Sequence, residues 1–271
     1  MEIAEPAMTR VLVRRALHSF LENGPMGFCA LVFRKLKGRF RGKEDAGPSY
    51  GVLGEPATSL HPFDREYGTD TSDLISGEQL VSGRRNDFWN PGYYGISPSG
   101  FNQILDCLSL DWPRFTFVDV GSGKGRALLL ASRFPFRRII GVELSPELSK
   151  TAAENILKFR APWQRCRNIE AVNADAESFV YPSEPLVLYL YHPFLAPVLK
   201  RCLANLSRAL SAEPREVYLL YTHPLFESVL RKMAVGFVKQ WERQFALSDE
   251  DRDADLLGTT GDRVAVYRYL P

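Results

Sequence analysis

The residues with the clearest chemical potential are Val118-Asp119-Val120-Gly121-Ser122-Gly123-Lys124-Gly125-Arg126. Glycine at alternate positions lets a backbone turn tightly and come close to a ligand. A helix opening there offers free N–H groups at its start. A phosphate-binding loop of the form GxxxxGK needs glycine six residues before Lys124, where Val118 stands, and a hydroxyl after it, where Gly125 stands. A dinucleotide fingerprint needs a small residue at 126, where Arg126 would disturb helix–strand packing. What remains is acid-x-Gly-x-Gly-x-Gly. Its carboxylate, Asp119, repels pyrophosphate and suits a ligand without phosphate. A second acid, Glu143, lies 24 residues after Asp119 and closes the apolar run Ile139-Ile140-Gly141-Val142. A carboxylate there can accept hydrogen bonds from both hydroxyls of a ribose. Its other reading is a cap for the following helix, which Ser145 can supply alone. A third acid, Asp175, sits in Asn173-Ala174-Asp175-Ala176, where it can also cap a turn.

These residues need a scaffold that alternates strands and helices. Ser97-Pro98 predicts a helix start, with Ser97 as cap and proline in the first turn. The helix is expected to run to about Leu110, with Phe101, Ile104, Leu105 and Leu108 on one side. Periodicity then predicts strands over 115–120, 137–142, 169–173, 185–191 and 216–221. Helices are expected over 125–133, 146–159, 195–210 and 225–233. Two further strands, 236–246 and 262–270, are joined by an acidic loop, Ser248 to Asp255. Repeated β-α-β units imply a mostly parallel sheet with helices on both faces, and the final pair adds an antiparallel edge.

The preceding chain reads differently. Residues 1–45 form a basic helical N-terminal extension, with nine Lys or Arg against five Asp or Glu. Its run 34–43 suits either weak contact with a membrane surface or the solvated face of a helical cap. Residues 46–96 read as a linker and aromatic lid segment. Aromatics cluster there in Phe63 to Thr71 and Phe88 to Gly95, more than a plain linker requires; a packed loop is the other reading. Residues 97–271 form the ligand-binding domain.

Composition narrows the classes. Hydrophobic residues at 45% and charged residues at 24% describe an ordinary globular chain. Lys and Arg total 34 and Asp and Glu 32, so a net charge of +2 supplies no global field for nucleic acid. No apolar run approaches the roughly 18 residues of a membrane helix. Cys29, Cys107, Cys166 and Cys202 form no CxxC pair and read as small buried hydrophobes. No disulfide framework or metal site is expected, and the default compartment is cytoplasmic.

Three acids, each following an expected strand around one glycine loop, resemble class I S-adenosylmethionine (AdoMet) methyltransferases over roughly residues 90–270. Phe117 to Arg126 looks like the glycine loop of the non-SET histone lysine methyltransferases. Tyr94-Gly95-Ile96-Ser97-Pro98 is loosely similar to their Tyr-Gly segment, which folds over AdoMet. With Tyr67-Gly68-Thr69-Asp70-Thr71 included, the assembly is most similar to uncharacterised bacterial methyltransferases. The resemblance implies a Rossmann-like α/β fold with a seven-stranded, mostly parallel sheet, order 3-2-1-4-5-7-6 and last strand antiparallel, behind an N-terminal helical and loop extension. It implies AdoMet as cofactor, held by Tyr94, Asp119, Gly121, Ser122, Gly123, Gly125, Glu143, Asp175 and Ala176. Asp119 would lie near the methionine end, Glu143 at the ribose and Asp175 at the adenine amino group.

In such enzymes the methyl acceptor sits at the end of the fourth strand, here Tyr191-His192-Pro193-Phe194. Tyr191, His192 and Phe194 are therefore the candidate catalytic residues. DNA amino-methyltransferases carry an Asn, Asp or Ser and two prolines there. His192 and the single Pro193 depart from that pattern and argue against nucleic acid. A similar segment, Tyr221-Thr222-His223-Pro224, ends the fifth strand and is a lesser candidate for the same cleft. The expected function is methyl transfer from AdoMet to a nitrogen, with protein lysine one candidate. The alternatives are a small-molecule acceptor, or a non-catalytic binding protein on the same fold.

Overall fold

The computed structural model describes residues 60–77, 79–80, 82–256 and 261–271. The basic extension 1–45, its run 34–43, the linker to residue 59 and Cys29 lie outside the described residues.

The centre is the strand β3 (Thr116–Val120), every residue of which is buried. An apolar run covered on both faces is what a parallel, doubly covered strand requires. It pairs in parallel with β4 (Arg138–Glu143) on one side and β6 (Leu186–Tyr191) on the other. Outward from these lie β5 (Ile169–Asn173) beside β4, and β7 (Val217–Thr222) beside β6. The chain then closes with β8 (Val238–Ala246) and β9 (Gly261–Tyr269). The last strand, β9, runs antiparallel between β7 and β8. The order β5-β4-β3-β6-β7-β9-β8 is the expected Rossmann-like sheet. A short antiparallel pair, β1 (Leu74–Ser76) and β2 (Gly92–Tyr94), stands apart.

Helices cover both faces. Strand alternation sends Phe117 into one layer with Tyr189 and Leu220, and Val118 into the other with Leu188 and Leu219. The first layer is completed by α2 (Pro98–Asp106) and α3 (Arg126–Ala131). The second is completed by α5 (Ala196–Ala212), which buries Val198, Leu199, Cys202, Leu203, Leu206 and Leu210 at helical spacing. Each such side chain contributes about 1.5–3 kcal/mol relative to exposure. Helix α4 (Pro146–Lys158) starts at Ser145, whose side chain accepts from Leu148 N at 3.3 Å. Helix α6 (Glu227–Met233) follows β7.

Three expectations are corrected. Helix α2 ends at Asp106 rather than near Leu110, because Leu108 N turns back to Leu105 O at 2.9 Å. The acidic segment after β8 is a helix, α7 (Asp249–Ala254). Ser248 caps it, and three acids in its first turn complement the helix dipole. Cys107 is exposed, whereas Cys166 and Cys202 are buried.

The aromatic segment before residue 97 is packed against the glycine loop rather than left as linker. It begins with α1 (Pro62–Tyr67), on which the Asp64 side chain is wholly buried. Asp64 Oδ1 accepts from Thr69 Oγ1 at 2.6 Å, Thr71 Oγ1 at 2.7 Å and Thr71 N at 3.0 Å; Oδ2 accepts from the Ser72 hydroxyl. The Arg126 guanidinium meets Asp64 Oδ2 at 3.4 Å and Thr71 Oγ1 at 2.7 Å. Burial works against the Asp64 charge. The hydroxyl hydrogen bonds and Arg126 outweigh it and hold the carboxyl below its ordinary value. Removing one partner of a buried pair strands the other charge. Asp64→Ala is therefore expected to cost about 3–5 kcal/mol, read from denaturant unfolding. A loss under 1 kcal/mol would show that this network does not anchor the segment.

Candidate functional site

The carboxyl ends of the parallel strands form one rim, and strand order reverses between β3 and β6, where ligands of open α/β sheets bind. The glycine loop leaves β3 at this point. Gly121, Gly123 and Gly125 have φ of 85°, 53° and 87°, the left-handed region that other residues adopt only with strain. A Cβ at 121 would lie 2.3 Å from Pro193 Cβ, and one at 123 would lie 2.2 Å from the Tyr93 ring. Gly121 N and Ser122 N both donate to Val142 O, at 2.8 and 3.2 Å, folding the loop over the end of β4. The Ser122 hydroxyl is buried against Gly141 of β4.

Glu143 fixes the loop from the neighbouring strand. Its Oε2 accepts from Gly123 N at 2.8 Å and its Oε1 from Ser145 N at 2.8 Å. Each oxygen keeps a further lone pair. Asp119 lies on the same sheet face by strand alternation, and both carboxyls are buried. Burial, reinforced by the charge of Glu143, pushes Asp119 up from 3.8 to about 8. Burial also raises Glu143, despite the backbone donors that favour its charge.

The cations of the loop are committed elsewhere. Lys124 Nζ lies 2.6 Å from both Asp70 and Asp73. Burial alone would lower its pKa; these two acids overcome that and raise it. Asn155 of α4 clamps the junction, donating to Lys124 O at 2.9 Å and Asp70 O at 2.7 Å. Arg126 is held by Asp64. Among the described residues no ion pair reaches Asp119 or Glu143, so no cation at the rim offsets these two buried acids. Its carboxyl groups and its glycine cradle, walled by Tyr93 and Pro193, suit a cationic ligand better than a phosphate.

The other expected residues fall as follows. Tyr94 turns to Asp255, donating to Oδ1 at 2.6 Å, beside a cleft lined by His61, Ser72, Asp73, Gly95 and Arg126. The ring on the glycine loop is its neighbour Tyr93, whose hydroxyl donates to Thr71 O at 2.6 Å. Alternation along β2 separates the two faces, and the sequence reading passed Tyr93 over. Asp175 accepts from Asn86 Nδ2 and from Glu177 N, both at 3.0 Å, so it caps its turn and ties it to the 3-10 turn Arg85–Trp89. Ala176 is buried in the second layer.

At the end of β6, Tyr191 packs with the first layer and its ring centroid lies 5.6 Å from that of His223. His192 has φ 42°, and its ring stacks on Phe226 at 5.6 Å. Phe194 packs on the second layer. The loop thus brings Tyr191 and Pro193 to the rim and turns the rings of His192 and Phe194 toward the opposite face.

Residues 118–213 match a family model described as a methyltransferase domain. No curated protein sequence matches. Among solved structures, the chain is similar to TrmN from Thermus thermophilus at 19% identity, over 64% of this chain and 48% of that one, with a TM-score of 0.43. It thus spans about half of that protein. Geranyl diphosphate C-methyltransferase from Streptomyces coelicolor A3(2) gives 12% identity, 63% and 76% coverage and a TM-score of 0.43. The ribosomal protein L11 methylase from Lactobacillus delbrueckii subsp. bulgaricus gives 16%, 63%, 75% and 0.39. Likeness at this level transfers no ligand or acceptor to this chain.

Two outcomes follow from the rim. Because Asp119 binds its proton more tightly folded than unfolded, its stabilising contribution is whole below about pH 4. It is lost as pH rises from 3.8 to about 8. Over that window it lowers stability by about 1 kcal/mol per pH unit, and Asp119→Asn is expected to flatten the decline. Asp64 and Asp251, both lowered, act below pH 4 and do not mask it. Thermal melts of both proteins from pH 5 to 8 check this; parallel curves would contradict it. Gly123→Ala, which combines a positive φ with a 2.2 Å contact on Tyr93, is expected to destabilise by at least about 1–3 kcal/mol in denaturant unfolding.

Proposed function

We infer that this chain, which carries a class I AdoMet-dependent methyltransferase domain over its glycine loop and the following strands, transfers the methyl group to a nitrogen acceptor. Protein lysine is one acceptor of that kind. The observation that carries the reading is the pair of buried carboxylates beside a side-chain-free loop, with both loop cations paired away from it. When bound, AdoMet supplies a methyl carbon activated by its sulfonium. The protein has to hold donor and acceptor in line and keep water out.

In this reading Asp119 faces the ammonium of the methionine end, and the remaining lone pairs of Glu143 accept from the ribose hydroxyls. Gly121, Ser122, Gly123 and Gly125 supply backbone, Tyr93 closes the near side, and Asp175 with Ala176 borders the adenine. The acceptor enters beside Tyr191, with His192, Pro193 and Phe194 forming its loop. An amine has to arrive neutral, and an aromatic, desolvated entrance favours that form. The near-neutral chain and the single-proline loop favour protein or a small amine over nucleic acid. Among the described residues no helix is long and apolar enough to cross a membrane, and a cytoplasmic setting fits the thiols.

Asp119→Ala and Glu143→Ala are each expected to weaken AdoMet binding by about 1.5–3 kcal/mol, the scale of a charge-assisted hydrogen bond. Incubation with methyl-labelled AdoMet and fractionated lysate is expected to place label on protein or small amines. Label on oxygen or carbon would contradict the nitrogen reading, and label in nucleic acid would contradict the preference for protein or a small amine. Normal AdoMet binding by both variants would contradict the site.

A further inference from the structure

The segment Tyr221-Thr222-His223-Pro224 repeats the pattern of the acceptor loop one strand away. Both histidines precede proline, and both have left-handed backbones, His192 at φ 42° and His223 at φ 49°. Such a conformation in a residue other than glycine is strained and persists where the surroundings impose it. At His223 the surroundings are specific. Its backbone N donates to Arg263 O at 2.8 Å, and its Nε2 lies 3.0 Å from Asp262 Oδ1. Asp262 is 1% exposed, and Oδ2 has no hydrogen-bond partner among the described residues. Gly100 of α2 makes room for it, since a Cβ there would lie 2.1 Å from Oδ2. A buried carboxylate that spends its one hydrogen bond on a half-exposed imidazole is costly as a structural element.

Topology explains how it reaches the rim. Strand β9 runs antiparallel to β7, so its first residues, Gly261 and Asp262, arrive where the parallel strands end. Tyr189 links this corner to the glycine loop. Its hydroxyl lies 3.1 Å from Thr222 Oγ1. Burial raises its phenol well above the ordinary value, and the charges of Asp262 and Asp119 both add to that. Tyr191, at the proposed acceptor entrance, has its ring centroid 5.6 Å from that of His223.

We propose that Asp262 positions His223 as the base that takes the proton from the methyl acceptor. The role rests on the methyl-transfer reading above. With Nε2–H donated to Asp262, the lone pair of Nδ1 is the one left to accept. The acceptor nitrogen's lone pair forms the new bond to the methyl carbon. The carbon–sulfur bond breaks with its electron pair on sulfur. The N–H proton passes to Nδ1, leaving an imidazolium beside the Asp262 carboxylate. His223 is the catalytic residue in this scheme and Asp262 the positioning residue.

The test combines a ligand-free and a catalytic readout on the full chain. Nitrogen NMR of histidine-labelled protein, with His223 assigned by loss of its signals in His223→Gln, is expected to show the Nε2–H tautomer. Asp262→Ala is expected to shift His223 to a tautomer mixture, and Asp262→Asn, which keeps an accepting oxygen, to restore it. His223→Gln is expected to bind AdoMet within twofold of wild type and to lower label transfer to the responsive lysate fraction by about 10²–10⁴-fold. An Nδ1–H tautomer in wild type overturns the proposal, as does transfer by His223→Gln within threefold of wild type. Failure of the wild-type protein to bind AdoMet overturns the methyl-transfer reading and the role of the pair with it.

Discussion

The Glu143 carboxylate, buried between Gly123 N and Ser145 N, is the contact on which the site depends. It is fixed at the end of β4 by the strand register Glu143↔Asn173 and by Asn173 Nδ2, which donates to Glu143 O at 2.9 Å. From that position it determines where the glycine loop can pass. The loop in turn needs left-handed backbone at three positions, so only glycine serves. Asp119 is left close enough for the two charges to repel. Two acids in a buried rim would ordinarily be offset by the nearest cations. Here the cations adjacent in sequence, Lys124 and Arg126, are pulled outward by Asp70, Asp73 and Asp64. The protein thus stores an unfavourable electrostatic arrangement that a cationic ligand would relieve.

The segment before residue 97 makes this separation possible. Its acids and hydroxyls hold Lys124 and Arg126, and its Tyr93 covers Gly123. It belongs to the same compact unit as the sheet, Pro56–Pro271, although it precedes the regular strand–helix alternation in sequence. Its attachment through Arg126 to Thr71 and Asn155 to Asp70 uses polar contacts across 55 and 85 residues of chain separation. No local periodicity encodes contacts of that kind. For this reason the segment reads as an irregular aromatic stretch until the fold is known.

The alternating strands and helices and the antiparallel final pair were legible because apolar runs and helical spacing alternate cleanly from Thr116 onward, whereas the sheet order followed from the resemblance to the methyltransferases. Helix α4, with Ser145 as cap and Pro146 behind it, was legible for the same reason. The position of Asp119 and Glu143 near the carboxyl ends of neighbouring strands was legible as well. Other features escaped. The choice between Tyr93 and Tyr94 depends on the facing of a three-residue strand too short to show alternation. The pairing of His223 with Asp262 depends on β9 entering antiparallel beside β7, which joins residues 39 apart. The helix after Ser248 was hidden by an acidic composition that reads as loop, although Ser248 and the acids behind it form a good helix start.

The account stands on a buried pair of acids, Asp119 and Glu143, that a positive ligand would hold in the ionised form. Calorimetric titration of the protein with AdoMet near pH 7, in buffers of different ionisation enthalpy, measures this directly. Asp119, raised to about 8, is mostly protonated in the free protein and must ionise to meet the ligand's charge. Binding is therefore expected to release a substantial fraction of a proton, and Asp119→Asn to reduce the release. Tight binding with no dependence on buffer would contradict the account.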